Sequence, residues 1–343
     1  MQRVAVLGLI ALTACSDALE QSTSAGQVVV SVNAVSGTLS LVSVDDRSVS
    51  SVSVPPTGSA PRSIAVRGDL LAAPGGDAAA LAVFDFSNGA PPVVTTRNLP
   101  SNSGATGVAL ESDSIAWVAN PNRNSVTRVN VRTGDTASSA VGVYPQAVAV
   151  TGGRVYAINK NLVSGTPAGP SWITVLPVRG GSPPAVDSIP LTGTNASYAT
   201  LGPDGFLYVI DAGTPGKGDG KLSIVDPATA VEQVVLNGLG ESPGPALYHP
   251  SGRLLVASPV GILEVNVSTR TLLRGPANPV RVQGNASVAA LAIDGAGRVY
   301  AFDRGNCTQP GVLHILSQPP NYDDLQQVAV GVCPSAAATI LVP

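Results

Sequence analysis

The chain has 343 residues, is poor in charge and in aromatic side chains, and carries 37 glycines and 29 prolines but a single methionine. Its net charge is −3, and no run of Lys or Arg supplies the clustered basic surface that nucleic acid needs, so nucleic-acid binding is excluded. The length would allow two ordinary domains, yet all-β folds often run past about 200 residues as one unit.

The first elements are not part of a fold. Arg3 is followed by an apolar stretch from Val4 to Leu12 and then by small residues. That stretch is far short of the roughly 20 residues that span a bilayer as a helix. It has the charged start, apolar middle and small-residue end of an export signal. The order Leu12-Thr13-Ala14-Cys15 resembles the lipobox of bacterial lipoproteins. The resemblance implies that residues 1–14 are removed, that Cys15 is lipidated, and that the membrane is a partner through this anchor. The alternative is an ordinary signal peptide with an incidental cysteine. Several acyl chains hold where one binds only marginally. Ser16 stands where an aspartate would resemble the inner-membrane retention signal, so the expected address is the cell envelope, with the outer membrane favoured. Residues 15–26 form a lipidated polar tether, and residues 27–343 the folded domain. An exported chain meets an oxidising compartment, so Cys307 and Cys333 are expected to be bridged.

From Gly26 onward the sequence repeats at a spacing of roughly 40 to 50 residues, a period typical of propellers and solenoids. WVAN (117–120), YAIN (156–159), YVID (208–211) and YAFD (300–303) are short β-forming runs that end in Asn or Asp. Each is followed by a second apolar run, such as SVTRVN, WITVLP, KLSIVD, GILEVN or VLHILS, then by a turn and a third run such as EQVVL. Each is preceded by another run, often led by proline, as in PQAVAV. The tight turns TGG, PDG, PSG and GAG suit hairpins. Four short strands per repeat, with no helical periodicity, predict propeller blades. Six full units start near Pro61, Ala105, Pro145, Ala196, Gly244 and Ser287. Residues 28–54 supply three further strands and Ala338–Val342 one. Joining them yields a seventh blade, with the C-terminal strand innermost, and leaves no open sheet edge. The predicted fold is an all-β, seven-bladed propeller.

The repeats resemble the YVTN family of seven-bladed propellers, with kinship to NHL repeats. The likeness is strongest over "GVYPQAVAVTGGRVYAIN" (142–159) and next over "PDGFLYVIDAG" (203–213). It departs at LLAAP (70–74) and LLVAS (254–258). Such a resemblance implies fold and little chemistry, because propellers host lyases, lactonases, binders and scaffolds alike.

In this topology the loops between second and third strands share a face with the connections between blades. The second strands end there in Asn33, Pro74, Asn120, Asn159, Asp211, Ser258 and Asp303. These residues form either a polar ring around a funnel or a set of loop-initiating side chains bonded to nearby backbone. Asn130, Asp226 and Asn266 end third strands on the opposite face and are read as turn residues. The loop-rich face also carries the long segments 159–171 and 211–220, with Lys160, Lys217 and Asp219, and the neighbouring Arg123 and Arg304. The candidate ligand-binding set is therefore Asn120, Arg123, Asn159, Lys160, Asp211, Asp303 and Arg304. Catalytic signals are thin. His249 and His314 lack metal-ligand spacing, and no G-x-S-x-G elbow is present. No cofactor or metal is expected. Two functions stay open: a membrane-displayed binding or interaction module taking a protein or small polar ligand, and a metal-dependent propeller enzyme of the lactonase or lyase type.

Overall fold

The computed structural model describes residues 26–178, 187–284 and 287–343. The expected export signal and Cys15 lie outside the described residues. The described chain folds into seven four-stranded antiparallel sheets and one small hairpin, Leu162–Val163 with Thr166–Pro167. Blade one is made of Gly26–Asn33, Thr38–Ser43 and Val49–Ser53, with Pro334–Val342 as its innermost strand. Blades two to seven follow in chain order. Their innermost strands are Ala65–Arg67, Val108–Ser112, Pro145–Thr151, Ala196–Leu201, Ala246–His249 and Val288–Ile293. The second strands of blades two to seven are Leu70–Pro74, Ile115–Asn120, Arg154–Asn159, Leu207–Asp211, Arg253–Ser258 and Val299–Asp303.

The apolar runs explain this packing. Second strands such as Ile115–Asn120 and Leu207–Asp211 are buried along their whole length. They are covered on both faces by neighbouring blades, so they read as continuous rather than alternating apolar runs. Outermost strands such as Thr136–Ala140 are mostly exposed. The core is divided into seven apolar clusters, each shared by two adjacent blades. Blades seven and one share Tyr300, Phe302, Val29 and Val42, and blades one and two share Ile340, Val342, Leu71 and Phe84. The ring is closed by packing as well as by pairing.

The aromatic residue that opens each YVTN-like run is a wedge between blades. Tyr156, Tyr208, Tyr300 and Trp117 are all buried. Their polar tips are satisfied at the edge: Tyr156 donates to the Pro227 carbonyl of the next blade, Tyr208 to Asp204, Tyr300 to Asp294, and Trp117 to Glu111. A buried Tyr or Trp of this kind needs such a partner.

Cys307 and Cys333 are bonded, with Cα atoms 4.5 Å apart. Cys307 lies in the loop after the second strand of blade seven, and Cys333 at the step from its outer strand to the closing strand. The Cys333 carbonyl accepts from the Ala34 N–H at 2.9 Å, so the bond fixes the point where the closing strand enters blade one. It closes a loop across a sequence separation of 26 residues, which restricts the unfolded chain by about 3 kcal/mol. A Cys307→Ser, Cys333→Ser double variant is therefore expected to lose about that much stability in equilibrium denaturation. Both cysteines hold left-handed backbone, so glycine there would relieve strain and mask the loss. An unchanged denaturation midpoint in the serine variant would show that the bond constrains nothing.

Candidate functional site

Strand alternation puts the start of every first strand, the end of every second strand and the connections between blades on one face. The sequence candidates come from the second-strand ends and the loops that follow them, and the structure places them differently. Asn120, Asn159 and Asp211 are wholly buried, and so is Asn33. Their side chains turn into their own blades. Each reaches the hydroxyl two residues beyond its pairing partner on the third strand. Asn33 Nδ2 donates to Ser40 Oγ at 2.9 Å, Asn120 Nδ2 to Thr127 Oγ1 at 2.8 Å, and Asn159 Nδ2 to Thr174 Oγ1 at 3.0 Å. Ser223 donates to Asp211 Oδ2 at 2.7 Å. This clamp repeats in blades one, three, four and five, at positions where the sequence left open a polar ring or loop-initiating side chains. Pro74 has no such group, and Ser258 instead donates to the Gly261 carbonyl at 2.8 Å across its own hairpin.

The clamps leave no room beside them. A Cβ added to Gly193 would stand 2.1 Å from Asp211 Cγ, and one added to Gly331 would stand 2.4 Å from Asn33 Nδ2. Asp211 is the charged version of the motif. Burial pushes its carboxyl up to about 7, against the pull of the Ser223 hydroxyl. Among the described residues its Oδ1 has no hydrogen-bond partner, and neither has the amide oxygen of Asn120 or Asn159.

Asp303 is partly buried and accepts from the Gly305 N–H at 2.8 Å, an Asx turn. Asn130, Asp226 and Asn266 do the same on the opposite face. Arg123 is exposed and donates to the Ser101 carbonyl at 3.1 Å. The long loop 211–220 is held by carboxylates: Asp219 accepts from Thr214 N–H, and Glu241 from the N–H groups of Gly216 and Gly218. His249 bridges blades six and seven by donating from Nε2 to the Gly297 carbonyl at 2.9 Å, while Nδ1 accepts from Ser251 N–H. His314 is buried and bonds Asp324 at 3.0 Å. Among the described residues, no three of His, Cys, Asp and Glu come together in a way that would hold a metal ion.

What remains on the face surrounds the central channel. A cavity of about 200 Å³ lies between the first strands, lined by Ile64, Val108, Ala147, Ala199, Leu247, Leu291 and Ala336. Its polar rim includes Arg62, Gln146, Ser197, Tyr198 and Ser335. First strands of different blades share no sheet, so hydroxyls join them: Ser335 donates to the Pro61 carbonyl at 2.8 Å, Ser63 to that of Thr106, Thr106 to that of Gln146 at 3.1 Å, and Thr200 to that of Ala246 at 2.6 Å. Lys160 is half-buried and Arg304 exposed, and neither is among the residues that line the cavity. Burial lowers the Lys160 ammonium to about 8, and the charge of Arg62 adds to the shift. Burial raises the Tyr198 phenol, against the pull of Arg304 and Arg62. Of the sequence candidates, the structure places Asn120, Asn159 and Asp211 inside the blades, and Arg123 and Arg304 at the exposed surface.

Arg62, Gln146, Ser197 and Ser335 were not singled out from sequence. A signal for them was present, because each follows the Pro or Ala that opens a first strand or leads into one: PRS, PQA, ASY and PSA. Aligning the repeats on that residue, rather than on the end of the YVTN-like run, reads out the rim.

No family model matches the chain, and no curated protein matches it in sequence. Solved propellers match it in shape. A chain of Kuenenia stuttgartiensis hydrazine synthase superposes with a TM-score of 0.66 at 16% identity, covering 84% of this chain and 91% of that one. Virginiamycin B lyase from Staphylococcus aureus gives 0.58 at 12% identity, over 79% and 84%. A functionally unknown protein from Desulfotomaculum acetoxidans gives 0.61 at 12% identity, over 89% and 99%. At such identities the likeness is one of fold.

Proposed function

We propose that this protein is a lipid-anchored propeller of the bacterial cell envelope, of the YVTN/NHL type, that acts as a binding module. The ligand enters the central channel from the loop-rich face. The observation that carries the reading is the rimmed cavity. Apolar walls with a few polar groups at one end are the usual make-up of a small-molecule site, and here they sit where a rigid scaffold presents its loops. The enzyme reading draws less support. Both histidines are buried and bonded to neighbours, and the acidic residues at the second-strand ends are each bonded locally, Asp211 to Ser223 inside blade five and Asp303 to the Gly305 N–H in its loop.

The binding role is tested on the full chain recovered from envelopes. A Gln146→Trp variant puts an indole on the cavity wall. Small molecules released on denaturation should include a species present with wild type and lost with the variant; identical contents would overturn the reading. The anchor has its own test. Replacing Cys15 with Ser should leave the melting curve unchanged and move the protein from the detergent-requiring to the soluble fraction. A Cys15→Ser protein that still needs detergent would remove the lipid from the account.

A further inference from the structure

Resting on that binding role, we propose that the cavity takes a small neutral molecule, an apolar body carrying one amide-like group, and that the Tyr198 hydroxyl and the Gln146 carboxamide recognise that group. The inference follows from how the polar groups of the lining are used. Ser63, Ser197, Tyr198, Thr200 and Ser335 are the hydroxyl side chains that line the cavity. Four of them give their only proton to backbone: Ser63 to the Thr106 carbonyl, Ser197 to that of Asn195, Thr200 to that of Ala246 and Ser335 to that of Pro61. These bonds tie the chain to itself and leave the four with no proton for a ligand. Gln146 accepts from Thr106 only at its backbone carbonyl. Among the described residues, neither its carboxamide nor the Tyr198 hydroxyl has a hydrogen-bond partner, and both residues line the cavity. A few polar groups left open in an apolar cleft are what orient a bound small molecule.

Tyr198 also departs from the blade pattern. It follows the bulge at the start of its strand and pairs with Ile210. The same register position holds Ala147 in blade four, Ala290 in blade seven and Ala336 in blade one. A blade is therefore complete with a methyl group there. The Tyr198 ring packs on the cluster shared by blades five and six, which holds the hydroxyl in place. Burial raises the phenol, so it keeps its proton and donates. Gln146, on the adjacent blade four, offers a donor and an acceptor. A carboxamide accepts at its oxygen and donates from its nitrogen, so it answers both residues. The body is set by the walls: Ile64, Val108, Leu247 and Leu291 enclose about 200 Å³, and a cavity of about 150 Å³ already holds one benzene. Charge is selected against. The one charged side chain of the lining, Arg62, is exposed. An ion pair at such a place offsets little of the cost of dehydrating a carboxylate, and a cation would meet a like charge.

The test is calorimetric titration of the full chain, held in lipid nanodiscs, with benzamide, benzoate, benzylammonium and benzene, the heat from empty nanodiscs being subtracted. Benzamide should bind saturably, and the other three at least about tenfold more weakly. Tyr198→Phe keeps the ring and should weaken benzamide at least about fivefold, with an unchanged affinity for benzene and an unchanged melting temperature. Gln146→Leu should weaken benzamide in the same way. Lost packing would weaken both probes together, so the pair of affinities separates recognition of the amide from the shape of the cavity. Benzoate, benzylammonium or benzene matching benzamide, either variant binding benzamide as wild type does, or no saturable benzamide binding would each overturn the proposal. If one of these failures occurs while Gln146→Trp still strips a native ligand, the binding role stands and only its neutral class falls.

Discussion

A chain ending at Ala337 is expected to show no cooperative unfolding transition. Removing six residues from a free terminus is ordinarily tolerated, but these residues occupy the innermost strand of blade one. Val28 pairs with Ile340, Val29 with Thr339 and Val30 with Ala338, on strand Gly26–Asn33. Ile340 and Val342 are buried in the cluster between blades one and two. Thr339 donates to the Ile293 carbonyl of blade seven at 2.5 Å. Two buried aliphatic side chains are worth about 1.5–3 kcal/mol each, and each lost backbone bond about 1 kcal/mol. The sum, roughly 5–10 kcal/mol, is comparable to the whole stability of a typical domain, about 5–15 kcal/mol. The truncation also opens an apolar edge on the second strand, which invites association between chains. Circular dichroism on heating and size-exclusion chromatography would check both effects. A truncated monomer melting at the temperature of the full chain would mean that the last strand does not hold the ring.

The fold was legible because a propeller writes each blade separately. Runs such as YAIN and YVID carry an aromatic wedge at one end and a polar clamp at the other, and their uniform apolar character follows from burial on both faces. The departures were legible too. LLAAP and LLVAS lack the Asx clamp, and in blade six Ser258 closes its own hairpin instead. The direction of the Asx side chains was harder to read. Whether Asn120 bonds nearby backbone, faces a funnel or grips the next strand depends on what stands two residues past its partner. Thr127, Thr174, Ser223 and Ser40 occupy those positions, so the information was present but only after register was known. The rim was less legible still. Arg62, Gln146, Ser197 and Ser335 come from four different blades, and only closure of the ring brings them around one cavity.

An Asp211→Asn variant should be more stable than wild type at pH 8 and equal to it near pH 4. Asp211 fills a position that asparagine holds in blades one, three and four, with the same hydroxyl partner geometry. The amide therefore fits a site already built for it. The carboxyl differs by being ionisable in a place with little to stabilise charge. Burial raises it from 3.8 to about 7; Glu232 adds to the rise, and Ser223 and Lys221 oppose it. Between these two values the native state holds a proton that the unfolded chain has released. Stability is thus full below the unfolded value and falls as pH rises towards 7, above which the loss is constant. A shift of that size corresponds to about 4 kcal/mol. The groups that titrate elsewhere are common to both proteins, so the difference between variant and wild type isolates this carboxyl. Urea denaturation across pH 4 to 8 should show that difference opening in the variant's favour from near zero to several kcal/mol. A difference that stays flat with pH would mean that Asp211 is ionised in the folded blade, and that its environment supplies the counter-charge that Lys221 alone does not.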